Sequence, residues 1–324
     1  MYDITTIGDA MKDIFVFPSI EEMEKPSEGF LKFGYGEKIT ISDIHYDVGG
    51  AACNVAAGVA KLSLKTSIIT TVGKDNEGQE IIIKLKKANV HTSDIKISRE
   101  KKTSFSVIIS YKGERSILVF HSFTPEDFVI PADLQTKWLY IGPLGEGYHS
   151  LYSKLTSLAA EKNIKIALNP GAVQIHDGLM SFGGLLGVTN VLFVNKEEGQ
   201  DLAGISGVAN PKEIIQKLLR AGPEIVVLTD GEEGAFSATQ EEFFKVGAYP
   251  AHRVEATGAG DAFASGMMTG IIKGEKLFDC LKWGVINSAS AIEKYGAQEG
   301  LLSLSTIKRR AKEYKWPADT LRFS

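Results

Sequence analysis

Ile164-Lys165-Ile166-Ala167-Leu168, Val191-Leu192-Phe193-Val194 and Ile225-Val226-Val227-Leu228-Thr229 are short, β-branched and nearly unbroken apolar runs. A strand with this pattern, rather than an alternating one, is covered on both faces, as in a parallel sheet flanked by helices. Earlier runs stop at glycine: Ile4-Thr5-Thr6-Ile7 before Gly8, Ile68-Ile69-Thr70-Thr71-Val72 before Gly73, and Trp138-Leu139-Tyr140-Ile141 before Gly142. Between the runs, apolar residues recur at helical spacing, at Val55, Val59 and Leu62 and again at Phe278, Leu281, Val285, Ala289 and Ile292. Strand and helix in alternation predict an α/β fold: a doubly wound, mostly parallel sheet flanked by helices, with its ligand site outside the carboxyl ends of the strands.

Two segments break the rhythm. Residues 14–48 hold scattered Gly and Pro, and Ser104 to His121 reads as a hairpin turning at Lys112-Gly113-Glu114, with Phe105, Val107 and Ile109 alternating with small or polar neighbours. Both are assigned to a discontinuous β lid (14–48 and 95–121) beside an α/β core (1–13, 49–94 and 122–324). The phenylalanines Phe15, Phe17 and Phe105 read as packing residues of that lid.

A chain of 324 residues, 44% hydrophobic, can bury a large core. Lys+Arg 36 against Asp+Glu 40 gives a net charge of -4, and no long basic run exists to follow nucleic-acid phosphates, so the expected partners are small molecules. The Lys308-Arg309-Arg310 cluster reads as a solvated helix face. Cys53 and Cys280 are too few for a disulfide framework or zinc cage and read as buried hydrophobes. Met1 to Ile7 lacks a basic n-region, and no run of about 18 apolar residues occurs, so the expectation is a cytoplasmic protein without membrane attachment. P-loop, G-x-G-x-x-G, H-E-x-x-H and C-x-x-C patterns are all missing, and the six histidines are scattered.

Chemistry concentrates in two places. In Ala256-Thr257-Gly258-Ala259-Gly260-Asp261-Ala262-Phe263-Ala264-Ser265-Gly266, small residues flank one acid at a helix start. Gly258 and Gly260 clear the approach to first-turn N–H groups, which with the helix dipole form an anion hole including Ala259. Asp261 would repel a merely bound phosphate, yet beside the hole it can take the proton from an acceptor hydroxyl during phosphoryl transfer. On spacing alone, a capping Asp behind a glycine turn remains the alternative. The second place is Val48-Gly49-Gly50-Ala51-Ala52-Cys53-Asn54, where the double glycine lets a ligand lie against backbone and Asn54 offers a donor and an acceptor to sugar hydroxyls. A tight helix–strand contact is its alternative.

Together the two segments resemble the signatures of the ribokinase/PfkB carbohydrate kinase family, a GG-plus-Asn helix and a D-T-x-G-A-G-D segment, and the resemblance runs over nearly the whole chain. It implies a ribokinase-like fold with a small β-sheet lid. In Gly8-Asp9-Ala10-Met11-Lys12-Asp13 it makes Asp13 a ligand of sugar hydroxyls, with Gly49, Gly50 and Asn54 as further sugar contacts. Val72-Gly73-Lys74-Asp75-Asn76-Glu77-Gly78 resembles its V-G-x-D-x-x-G. Asn195-Lys196-Glu197-Glu198 resembles its N-x-x-E, which implies that Asn195 serves the nucleotide and Glu198 a magnesium ion through water. Thr229, Gly231 and Gly234 fall in a T-x-G-x-x-G nucleotide loop, and Asn287 with Gly296-Ala297 would enclose adenine.

The implied activity is ATP- and Mg²⁺-dependent transfer of the γ-phosphoryl group to a hydroxymethyl group of a small sugar, with Asp261 as base and a homodimer formed through the lid. A nucleoside kinase of the same fold, or a non-catalytic sugar- or nucleotide-binding regulator, are the alternatives. Glu255 and Ala256 depart from the family's loop, which in relatives helps hold a monovalent cation such as K⁺. Asn169-Pro170-Gly171 departs from a D-x-N-x-R pattern, so the acceptor stays open among ribose, a fructose-like hexose, a keto-deoxy sugar acid and a nucleoside.

Overall fold

Every apolar run quoted above becomes a strand of one large sheet in the computed structural model, which describes residues 1–19, 35–111, 114–207, 209–316 and 322–323. The first half of the chain forms β1 (Ile4–Ile7), β2 (Met11–Pro18), β3 (Ile41–Gly49), α1 (Ala51–Lys61), β4 (Thr66–Gly73), α2 (Asn76–Lys87), β5 (Val90–His91), β6 (Ile95–Ser98), β7 (Phe105–Tyr111), β8 (Glu114–Phe120), β9 (Trp138–Ile141) and α3 (Tyr148–Lys162). The second half forms β10 (Lys165–Leu168), α4 (Ala172–Asp177), β11 (Thr189–Asn195), α5 (Lys196–Ala203), α6 (Pro211–Leu219), β12 (Ile225–Thr229), β13 (Ala235–Ala238), β14 (Phe243–Val246), α7 (Ala259–Ile272), α8 (Leu277–Ala291), α9 (Leu304–Glu313) and β15 (Arg322–Phe323).

The large sheet runs β15-β14-β13-β12-β11-β10-β9-β1-β4-β5, with β6 also paired to β4. Pairing is parallel from β12 to β5 and antiparallel from β12 out to β15. Successive strand residues feed opposite cores. Leu139 and Ile141 of β9 join α3 residues Leu151, Tyr152 and Leu155, whereas Trp138 and Tyr140 join Phe263, Met267 and Met268 of α7. Because β1 lies between β4 and β9, the winding reverses at its carboxyl end, where a doubly wound sheet opens a crevice.

Over that crevice lies a second sheet, β3-β2-β7-β8. β7 and β8 form the expected antiparallel hairpin, although Lys112 and Gly113 at its turn and 20–34 of the lid segment lie outside the described residues. The strands do not follow the boundaries expected at 13/14, 48/49 and 94/95: β2 starts at Met11, β3 runs to Gly49, and β6 pairs with β4 of the large sheet. The hairpin's apolar alternation also faces outward. Phe105, Val107, Leu118 and Phe120 share the outer face with Ile14, Val16, Ile44 and Tyr46, while Ser106 and Ile108 point inward and are buried. Both cysteines are buried, as expected, and among the described residues no helix is long and apolar enough to cross a membrane.

Helices α1 and α7 approach so closely that a Cβ at Gly58 would overlap the Ser265 side chain. Gly58→Val should therefore destabilise the protein by about 1–3 kcal/mol through overpacking. Urea unfolding checks this, and a variant as stable as wild type would mean the two helices can part freely.

Candidate active site

Helix α7 begins at Gly258, whose φ of 76° is left-handed and whose missing Cβ makes room for Ala297. Its glycine thus serves the turn and the packing, while Gly260 opens on free space, as an approach path for a ligand requires. Ala259 N–H bonds back to Ala256 O at 3.2 Å, which leaves Gly260 and Asp261 as the first-turn donors. Asp261 Oδ2 accepts from Asn54 Nδ2 at 2.8 Å. Burial pushes the Asp261 carboxyl up to about 6, against the lowering effect of the Asn54 bond.

That contact gives Asn54 a protein partner on each side of its amide. Its amide faces the acid, and its Oδ1 accepts from Gln298 Nε2 at 3.0 Å, which also donates to Val48 O at 3.1 Å. Gly50, with φ 93°, lets α1 start directly against the Asp9 carbonyl, and Gly49 lies against the Asp13 carboxylate, where no Cβ fits. Asp13 Oδ1 accepts from Ser106 Oγ at 2.6 Å. Burial raises Asp13 to about 6, offset by the Ser106 bond and reinforced by the negative charges of Asp47, Asp261 and Glu255. The structure therefore gathers Asp13, Gly49, Gly50, Asn54 and the 258–261 turn around one crevice.

A cleft of about 170 Å³ adjoins the α7 turn. Thr229, Gly231 and Gly234 line one side, Ala259 and Gly260 the floor, and Tyr249, Phe263, Val285, Ala289 and Ile292 supply apolar walls. Asn287 is not on it, which corrects its assignment to adenine. It is 0% exposed, donates to Ala262 O and Ser265 Oγ, and accepts from Leu302 N–H, so it ties α7 to α8. Gly296 and Ala297 likewise pack on Asp47 and Gly258.

Asn195 and Glu198 form a reciprocal capping box on α5: Asn195 Oδ1 accepts from Glu198 N–H at 2.8 Å and Glu198 Oε2 from Asn195 N–H at 2.9 Å. The register sets Asn195 beside Thr229 at the strand ends. Glu198 is raised by burial, and the cap engages one of its oxygens, so it fits a metal through water rather than as part of a cage. Among the described residues no group of three or more His, Cys, Asp or Glu side chains could hold a metal ion. Asp75 is a structural cap, accepting from Gly78 N–H and from Thr103. In the 255–257 loop Glu255 Oε1 faces Thr257 and the Arg115 cation, and Glu255 Oε2 is a buried oxygen without a hydrogen-bond partner.

A family model described as pfkB family carbohydrate kinase matches residues 11–304. A 5-dehydro-2-deoxygluconokinase of Shouchella clausii (strain KSM-K16) is 24% identical over 330 residues, 96% of this chain and 96% of that protein. The structure of Arabidopsis thaliana ribokinase complexed with ribose and ATP matches with TM-score 0.80 at 20% identity, over 97% of this chain and 99% of the other. A nucleoside kinase of Methanocaldococcus jannaschii, an archaeal member of the ribokinase family, matches with TM-score 0.79 at 20% identity, again over 97% and 99%.

The raised carboxyls make stability depend on pH. Between 3.8 and about 6 the folded Asp13 and Asp261 hold protons that the unfolded chain has released, so stability falls as pH rises through that window. The cost above it is on the order of 3 kcal/mol per group. Urea unfolding at pH 5 and pH 7 should show Asp261→Asn more stable than wild type at pH 7, with a smaller gap at pH 5; a gap that widens instead would contradict the raised values.

Proposed function

The chain belongs to the pfkB family of carbohydrate kinases, and from that premise we propose that it transfers the γ-phosphoryl group of ATP to a hydroxymethyl group of a small sugar, with Asp261 as the base. The observation that carries this reading is the Asn54–Asp261 hydrogen bond. It holds a carboxyl of pKa about 6 at the start of α7, between an apolar cleft and a lid that carries a second acid. A base so tuned is ionised at neutral pH yet retains affinity for a proton.

Bound ATP and Mg²⁺ would supply an activated phosphoryl group and a counter-charge for it. Thr229, Gly231 and Gly234 would receive the nucleoside against the apolar walls of the cleft, and Glu198 would meet the magnesium through water. The Gly258 turn would aim the Gly260 and Asp261 N–H groups at the transferred group. Asp13, held by Ser106, would accept from a sugar hydroxyl, and Gly49 and Gly50 would serve the sugar by leaving room for the Asp13 carboxylate and the Asp9 carbonyl beside it. Asn54 would keep Asp261 aimed at the acceptor while the lid excludes water. An ATP substrate and two free, buried thiols favour a cytoplasmic setting.

The outer lid face favours a homodimer. Leu118 is 61% and Tyr46 54% exposed on a face where they join Ile14, Val16, Ile44, Phe105, Val107 and Phe120, with Lys12 and Ser116 among them, a largely apolar patch that a second copy would cover. Sedimentation should give twice the chain mass, and Leu118→Lys should give the monomer; a wild-type monomer at micromolar concentration would remove this assignment.

Assays of ADP release against ribose, fructose, a keto-deoxy sugar acid, adenosine and inosine test the activity. Binding of a ligand with no ADP released from any acceptor would replace the kinase with a binding protein. Asp261→Asn should lower kcat by about 10²–10⁴ with much less effect on ATP affinity. Wild-type kcat should fall as pH drops below about 6, where Asp261 gains its proton.

A further inference from the structure

Arg115 lies on the lid's inner face. In the β7–β8 register Arg115 opposes Ser110 and Val119 opposes Ser106, which places Arg115 on the face that carries Ser106 and Asp13. Its Nη1 stands 3.8 Å from Glu255 Oε1, across the gap between lid and core. Glu255 is 3% exposed, and its Oε1 also accepts from the N–H of Thr257 at 2.8 Å and from its hydroxyl at 2.6 Å. Its Oε2 is buried with no hydrogen-bond partner. A carboxylate in that position is costly to bury unless a cation compensates it. Thr257, which it holds, immediately precedes the Gly258 turn of α7.

We propose that Arg115 is a positioning residue for the phosphoryl-transfer site: the closed lid sets its guanidinium on Glu255, and Glu255, through Thr257, fixes the turn from which the first N–H groups of α7 point. The catalytic part rests on the kinase reading above; the mechanical coupling does not. At 3.8 Å the pair is an electrostatic contact, longer than a hydrogen bond, so its strength depends on how far the lid has come down. With the lid raised, Glu255 loses this compensation and the turn loses its brace. The donor array is then complete only when the lid covers an acceptor, which disfavours transfer to water.

Four variants of the full chain test this: Arg115→Gln, Arg115→Lys, Glu255→Gln, and the double Arg115→Gln/Glu255→Gln. Glu255→Gln removes the charge but keeps an oxygen for Thr257. Without any substrate, hydrogen–deuterium exchange of the 256–260 amides should quicken in Arg115→Gln although the substitution lies in the lid; unchanged exchange there overturns the proposal whether or not the protein is a kinase. In turnover, Arg115→Gln should lose about 10- to 100-fold in kcat with ATP KM little changed, as a misplaced catalytic array does. Arg115→Lys, or guanidinium added to Arg115→Gln, should restore part of the loss, and the double variant should be no worse than Arg115→Gln. A kcat equal to wild type, additive losses, or a loss that neither lysine nor guanidinium relieves would overturn it. A wild type that turns over no acceptor refutes the kinase reading instead, and the exchange experiment then decides the fate of Arg115.

Discussion

The site depends on one close approach, that of α1 to α7. Small residues line both helices where they meet: Ala57 and Ala262 share a buried cluster, and Gly58 faces Ser265 with no room for a methyl group. This contact brings Asn54 within 2.8 Å of Asp261 although they are 207 positions apart in sequence. Burial of the carboxyl at this junction is the main cause of its raised pKa. Position and basicity of the acid therefore share one origin, the absence of side-chain volume between two helices.

The rest of the crevice manages the consequence, a concentration of buried acid. Asp13 and Asp47 face each other across β2 and β3, and Glu255 and Asp261 add their charge to Asp13. Each has a different compensation. Ser106 donates to Asp13, Lys84 pairs with Asp47, Arg115 faces Glu255 and Asn54 donates to Asp261. Ser106 and Arg115 both come from the β7–β8 hairpin. The lid is thus an electrostatic part of the site as well as a cover: its Arg115 compensates Glu255 of the core, and its Ser106 serves an acid that the lid itself carries.

What could be read from the sequence was whatever depends on local pattern. Continuous apolar runs announce strands covered on both faces, and the 256–266 segment announces a glycine-led helix start, because both are properties of neighbouring residues. Asn287 shows the limit: its position in the chain is fixed, but whether its amide meets a ligand or Ala262 O and Ser265 Oγ depends on which way α8 is turned against α7. The protein partners of Asn54 were hidden for the same reason, since Gln298 lies 244 positions away in sequence. Ser106 and Arg115 sit in a hairpin with no motif, and only strand register puts them on the inner face. The apolar residues of that hairpin announced a face without saying that it points outward.

On the proposed phosphoryl-transfer reading, anion recognition would be compatible with Asp261 having no cation among the groups that shift it. A lysine or arginine beside Asp261 would attract phosphate, but it would also favour the ionised carboxyl and draw its pKa back toward 3.8, weakening it as a base. Backbone N–H groups at a helix start attract the same anion with partial charges, and two of them, on Gly260 and Asp261, stand next to the carboxyl itself. The mild net charge of -4 is consistent with that solution, because binding through oriented dipoles requires no basic surface. Arg115 respects the same constraint. Its charge is placed on Glu255, at the far side of the Thr257 turn, where it can brace the donors without titrating the base.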